Sequence, residues 1–241
     1  LDAMSGDLGT EVVVRAASAA PDKYANIELQ IVGDQVELQD LVTRIIGENS
    51  RIQIVHASEV VQMSESPIDA LRQKKDSSMR VAINLVKDGS ADACVSSGNT
   101  GALMATAKFV LKTLPGIDRP AFITELPAKG GSLHMLDLGA NTQASASQLF
   151  QYAMMGSIVS SDITGIDRPR IALLNIGEED IKGGDTIREA AALLKESTLN
   201  YVGFIEGNDL FSGMADVVVT DGFTGSVALK TIEGAVGLVQ H

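Results

Sequence analysis

The chain has 241 residues, 45% apolar and only 4% aromatic, with no tryptophan and a formal net charge of −12. That length and apolar content exclude a disordered chain and allow a substantial core of Val, Ile, Leu, Ala and Met, at home in parallel sheets covered by helices. The acidity argues against non-specific nucleic-acid binding, which sets Lys and Arg against phosphate, and no apolar run is long enough to span a bilayer.

Leu1-Asp2-Ala3-Met4 reads as the end of a strand rather than a signal peptide, so the chain is expected to open inside strand 1. Strand-like runs follow at 26–32, 51–56, 91–95, 121–124, 133–138, 170–176, 201–205 and 216–220. Helical patterns, with apolar residues recurring at three and four, cover 67–87, 100–114, 145–161, 185–195 and 226 onward, the first with a candidate break at Ser77-Ser78. The alternation is that of βαβ units and predicts an α/β fold, a three-layer α/β/α Rossmann-like sandwich. With no linker or low-complexity segment, a single domain over 1–241 is expected. Gly-Ile-Asp-Arg-Pro occurs at 116–120 and 165–169, each time ahead of a predicted strand. Proline fixes φ and biases its predecessor toward extended geometry, so the repeat reads as a strand lead-in. The single cysteine, Cys94, lies in a strand pattern, excludes an intrachain disulfide, and reads as inert in a reducing cytoplasm.

Three apolar runs stop at a glycine-rich polar turn before a helical pattern: Ser96-Ser97-Gly98-Asn99-Thr100-Gly101, Asp137-Leu138-Gly139-Ala140-Asn141 and Asp221-Gly222-Phe223-Thr224-Gly225-Ser226. Glycine permits close backbone approach, and the N–H groups opening a helix attract anions. Ligands of open α/β sheets bind outside the carboxyl ends of the strands, where all three turns are predicted. Ser97, Gly98, Asn99, Thr100, Gly139, Asn141, Gly222, Thr224 and Gly225 are therefore candidate anion ligands, provided the turns converge. The first turn is neither a P-loop nor a full dinucleotide fingerprint; a well-capped turn without ligand is its alternative reading. Asp137 can orient a lysine or cap a helix.

A further loop, 174–185, sets Lys182 among Glu178, Glu179, Asp180 and three glycines. Lys182 can bind phosphate or polarise a carbonyl, or belong to a self-neutralising solvated loop. A metal site is disfavoured, since the acids are consecutive and no histidine spacing supports one. His56, His134 and His241 form no nucleophile triad and read as structural. Met154-Met155 reads as core packing, with an acyl-chain channel as the alternative. Arg72, Lys74, Lys75 and Arg80 read as a solvated helix face or, in so acidic a chain, as a local docking site for an acidic partner.

Together, Ser-Gly-Asn-Thr-Gly-Ala-Leu-Met (97–104), Leu-Asp-Leu-Gly-Ala-Asn (136–141), Leu-Leu-Asn-Ile-Gly-Glu-Glu (173–179), Asp-Gly-Phe-Thr-Gly (221–225) and Asp-Ser-Ser-Met-Arg-Val-Ala (76–82) resemble the bacterial phosphate acyltransferase family, PlsX, in order and spacing from end to end. The resemblance implies a fold similar to isocitrate dehydrogenases and phosphotransacetylases. It implies transfer of a long-chain fatty acyl group from acyl carrier protein to inorganic phosphate, giving acyl phosphate for phospholipid synthesis, with no nucleotide or redox cofactor. Family members are homodimers in the cytoplasm and associate peripherally with the membrane. Phosphate is then the nucleophile, and no activated Ser or Cys is required. Lys182, Asp137 and Ser226 become the catalytic candidates, and Arg72, Lys74, Lys75 and Arg80 the docking site for the acidic carrier. The chain departs from the family pattern at Ser5 (usually Gly), Thr10 (where Pro usually follows the first turn), Thr142-Gln143-Ala144 (usually Val-Asp-Cys) and Ser226 (usually Asn). Family chains also continue beyond 229–234 through helices that complete the dimer. A catalytically weak carrier-binding homologue and a phosphotransacetylase-like enzyme using acyl coenzyme A are the alternatives.

Overall fold

The computed structural model describes residues 1–177 and 182–239. The chain divides into two compact units, Leu1–Thr113 and Leu114–His241. In the first, a parallel pair β1 (Leu29–Gly33) and β2 (Ile52–His56) is accompanied by α1 (Thr10–Lys23), α2 (Gln35–Ile45), α3 (Pro67–Gln73), α4 (Ser78–Lys87) and α5 (Thr100–Leu111). Val14, Ala17, Leu38 and Val42 of α1 and α2 close over Leu29 and Ile31. The opening residues, expected as the end of a strand, make only isolated parallel bridges, from Asp2 to Val32 and to Ser96, beside β1.

Three expectations for this unit change. The strand expected at 91–95 is not a strand; its contact with the sheet is reduced to Asp2 N–H donating to the Val95 carbonyl and the isolated bridge at Ser96. The helix expected over 67–87 is two helices, because Ser77 is extended at φ −71°, ψ 147° and its hydroxyl accepts from Arg80 N–H, opening α4. Helices α1 and α2 went unread. Both carry a helical stripe in the sequence, Thr10, Val14, Ala17 and Pro21 in one and Leu38, Leu41, Val42 and Ile45 in the other, recurring at three and four; Val14 and Ala17 pack with the second set on one core.

The second unit holds β3 (Ile123–Ala128), β4 (Gly131–Leu136), α6 (Ala146–Thr164), β5 (Ile171–Leu174), α7 (Asp185–Glu196), β6 (Tyr201–Ile205), β7 (Val217–Val219) and α8 (Gly222–Val239). Its sheet order is β3-β4-β7-β5-β6, with β3 antiparallel to β4 and the other pairs parallel. Alternation sends Leu136, Leu173, Val217 and Val219 toward Leu149 and Tyr152 of α6 and Leu194 of α7. It sends Leu133, Met135, Ala172 and Val218 toward Leu229 and Ile232 of α8. Helices thus cover both sheet faces, as expected of an α/β fold. Met155 packs against the first of these clusters. Each Gly-Ile-Asp-Arg-Pro copy leads into a strand, β3 or β5. Strand and helix limits shift by a few residues, β3 and β4 running 123–128 and 131–136 and α6 to Thr164, and the shift that matters is at α8, which begins at Gly222 rather than Ser226, so the third glycine turn is the helix's own first turn.

Candidate active site

At the carboxyl ends of the neighbouring parallel strands β4 and β7, two of the glycine turns meet. The first is built around Asp137, which is fully buried. One carboxylate oxygen accepts from Phe122 N–H and Ala140 N–H at 3.0 Å each. The other accepts from Asn141 N–H at 2.8 Å and Asn141 Nδ2 at 2.9 Å. Four donors use the carboxylate's acceptor sites, so Asp137 shapes the turn from within rather than facing a substrate. Asn141 Nδ2 also donates to the Pro120 carbonyl at 2.8 Å, tying the turn to the lead-in of β3. Exposed Gly139 stands at φ 124°, a conformation that side-chain-bearing residues rarely adopt.

The first turn of α8 closes onto this arrangement. Gly222 N–H donates to the Asn141 carbonyl at 2.8 Å. A Cβ at Gly222 would fall 2.5 Å from that oxygen, and one at Gly225 only 1.9 Å from the Asp137 carbonyl oxygen. Both glycines are buried, and their role here is backbone-to-backbone contact. Asp221 caps the helix, accepting from Thr224 N–H at 2.9 Å and Thr224 Oγ1 at 2.8 Å. Half-buried Ser226 faces the outer turn: a Cβ on Gly139 would lie 3.6 Å from Ser226 Cβ and 3.7 Å from its Oγ. Alongside is a cavity of about 530 Å³ with Thr142, Gln143 and Thr224 among its polar lining and Leu149, Ile187 and Phe223 among its apolar lining.

Lys182 is exposed, three residues ahead of α7, whose Thr186 and Ile187 line the same cavity. Its carbonyl accepts from Asn175 Nδ2 at 3.3 Å, and the same amide donates to the Gly177 carbonyl at 3.1 Å, so Asn175 pins both flanks of the loop. Glu178, Glu179 and Asp180, the acids expected around Lys182, lie outside the described residues, as does His241. Beneath the Asp137 turn, the buried Tyr152 phenol is pushed up to about 12 by burial and then by the Asp137 charge, which keeps it protonated and unfit as a base. His134 is buried in β4, and His56 is exposed with Nδ1 accepting from Gln35 N–H at 3.3 Å. Burial also raises the Cys94 thiol, in keeping with an inert side chain.

The remaining glycine turn belongs to the N-terminal unit and has its own buried aspartate. Asp2 accepts from Ser96 Oγ at 2.6 Å, Ser5 Oγ at 3.1 Å and Met4 N–H at 3.3 Å. Ser96 Oγ in turn accepts from Gly98 N–H at 3.1 Å. Gly98 is buried against Ser5, where a Cβ would lie 2.4 Å from Ser5 Cβ. Asn99 caps α5 through Ala102 N–H at 3.0 Å, and its Nδ2 donates to the Met63 and Glu65 carbonyls at 2.9 Å. Ser97 and Thr100 remain exposed. In the basic set, Arg72 and Lys75 are exposed, whereas Lys74 turns inward to the Val60 carbonyl and the Glu65 carboxylate.

Sequence reasoning missed Asp2, Ser96, Asn175 and Asp221 as organisers. The signal that finds them is the one already visible at Asp137: an Asp, Asn or Ser at a strand end beside glycines, where orphan N–H groups need acceptors.

The Fatty acid synthesis protein family matches residues 1–241. A phosphate acyltransferase of Alkalilimnicola ehrlichii is 56% identical over 242 residues, spanning 100% of this chain and 71% of the relative. One of Nitrosococcus oceani is 57% identical with the same coverage. Among solved structures, EutD phosphotransacetylase from Staphylococcus aureus aligns with a TM-score of 0.65 at 18% identity, covering 94% of this chain and 79% of that one. A branched-chain phosphotransacylase from Enterococcus faecalis aligns at 0.57 and 15%, covering 96% and 83%. At such identities the likeness concerns the fold.

Proposed function

We propose that this chain, which belongs to the phosphate acyltransferase (PlsX) family of fatty acid synthesis proteins, moves a long-chain fatty acyl group from acyl carrier protein to inorganic phosphate. The observation that carries the reading is the pairing of the β4 and α8 turns beside a cavity with polar and apolar lining. A phosphate oxygen attacks the thioester carbonyl carbon, the carbonyl becomes a tetrahedral oxyanion, and its collapse breaks the C–S bond. The carrier leaves as thiol and acyl phosphate remains. Phosphate brings its own nucleophilic oxygen, so the protein's task is placement; fixing two reactants can remove roughly 7–11 kcal/mol of barrier in ideal cases.

In this reading exposed Gly139 and the Ser226 hydroxyl border the phosphate, with Asn141, Gly222 and Gly225 holding that border in shape and Thr224 lining the cavity. The Lys182 ammonium stabilises the phosphate or the oxyanion, and Asp137 acts through the turn it organises. Ser97, Gly98, Asn99 and Thr100 form a substrate-binding turn in the N-terminal unit. Arg72, Lys75 and Arg80 meet the acidic carrier. Assembly as a homodimer and peripheral membrane association belong to the same proposal; among the described residues no helix is long and apolar enough to cross a membrane.

Incubating the protein with long-chain acyl carrier protein, with and without phosphate, and titrating released carrier thiol tests the reading. Phosphate-dependent release is expected, faster than from acyl coenzyme A at equal concentration. Release that ignores phosphate would overturn it.

A further inference from the structure

We infer that Phe109, with Arg80 and Lys112 over its ring, is the contact centre for an acidic protein partner; under the reading above, on which this inference rests, that partner is the carrier of the acyl thioester. Phe109 lies near the end of α5 and is 55% exposed. The Arg80 guanidinium, from the neighbouring helix α4, sits 5.5 Å from the ring centroid, and the Lys112 ammonium 4.9 Å. An aromatic face attracts cations through its quadrupole, so the ring gathers two charges at one point of the surface.

Two features characterise this cluster. First, its cations escape the pairing that ties Arg15 and Arg44 to Glu11, Lys74 to Glu65, Arg170 to Asp216 and Arg188 to Asp185, a freedom that Lys23, Arg51 and Lys129 share among the described residues, but here two such charges meet on one ring. Among the described residues neither Arg80 nor Lys112 has an ion-pair partner, and the exposed Arg72 and Lys75 have none either. Second, Lys112 closes α5 at φ 69°, ψ 177°, a region populated almost only by glycine, and it is the one non-glycine residue with positive φ among the described residues. Glycine would close the helix there without strain. Lysine in that conformation trades local stability for an ammonium held at the ring.

An exposed aromatic flanked by arginine is the composition of a protein-interface anchor, and uncompensated cations steer an acidic partner to it. An anionic bilayer is a poorer match. Surface binding to lipid calls for an apolar helix face inserted over many residues, or four to eight clustered cations, and this site offers one ring with two cations over it.

Three variants test the assignment: Lys112→Gly, Lys112→Glu and Phe109→Ala. Each is assayed for affinity toward acyl carrier protein by fluorescence anisotropy, for thermal midpoint, and for phosphate-dependent release from acyl carrier protein and from the neutral small thioester acyl-N-acetylcysteamine. Lys112→Gly is expected to raise the midpoint while weakening carrier binding about threefold. Lys112→Glu should weaken it by about tenfold or more at low salt, with the deficit shrinking as salt rises. Release from the small thioester should be unchanged in all three. Unchanged carrier affinity in Lys112→Gly and Phe109→Ala would overturn the inference, as would equal losses with both donors. So would loss of binding to phosphatidylglycerol vesicles with carrier affinity intact. If the parent chain releases nothing from either donor, the functional reading falls, while carrier affinity still decides this surface.

Discussion

Each unit has a buried aspartate that organises a glycine-bearing turn, but the donors differ. Asp137 takes three main-chain N–H groups and one amide; Asp2 takes two serine hydroxyls and one main-chain N–H. Main-chain donors move only if the backbone moves, whereas hydroxyls turn about a single bond. The β4 turn is therefore a rigid border for a ligand, and the N-terminal turn one that can rearrange its hydrogen bonds. The usual family glycine at position 5 would supply no hydroxyl to Asp2, so Ser5 adds a bond that its own unit absorbs.

The largest expected effect breaks the rigid side of this comparison. Asp137→Ala orphans several buried donors and is expected to lower unfolding stability by about 3 kcal/mol or more in urea titrations. A change below 1 kcal/mol would mean that water replaces the carboxylate at little cost. Next comes a residue that organises no turn through its side chain. Lys182→Ala should lower phosphate-dependent turnover by about a hundredfold while leaving the thermal midpoint in place; a parallel fall in both would make Lys182 structural. On the adjustable side, Asp2→Asn should cost only about 1 kcal/mol, because Ser5 and Ser96 can redirect their hydroxyls to an amide oxygen. A loss as large as that of Asp137→Ala would erase the distinction between the two turns.

The smallest effect sharpens the comparison through a third aspartate. Burial alone would raise the Asp216 carboxyl, but the Arg170 guanidinium, at 2.8 and 3.0 Å, and Arg170 N–H, at 2.7 Å, hold it below the usual carboxylate range. A depressed folded-state pKa gives stability that is present above the unfolded carboxylate value and lost as pH falls through the folded one. The stability difference between the parent chain and Asp216→Asn should therefore be largest near neutrality and narrow below about pH 4. A difference independent of pH would show that packing, not charge, supports that position.

Legibility in the sequence followed the strength of the local signal. β6 was readable at its observed limits because β-rich residues stand between turn formers, and the break near Ser77 announced itself as a pair of cap-forming residues. α1 and α2 were legible but unread: Leu38, Leu41, Val42 and Ile45 recur at three and four, and Val14 and Ala17 join them on the same core. The run at 91–95 looked like a strand because it is apolar, but strand status needs a partner, and composition does not say whether a partner is there. At the candidate site, Asp137, Gly139, Gly222 and Gly225 were recognisable as special; their division of labour was not. A glycine that admits a ligand and a glycine that admits a carbonyl oxygen have the same letter.

What the sequence by itself determined is the α/β class, the family, and the positions at which backbone and anion chemistry concentrate, because propensity, turn formation and motif order are local along the chain. Only the tertiary structure decided that the β4 and α8 turns touch, that Asp137 is consumed by its own turn, that Lys74 is paired inward, and that Arg80 and Lys112 meet on Phe109. Those facts depend on which distant groups satisfy buried donors and which are left facing water, and that partition exists only once the strands and helices have packed.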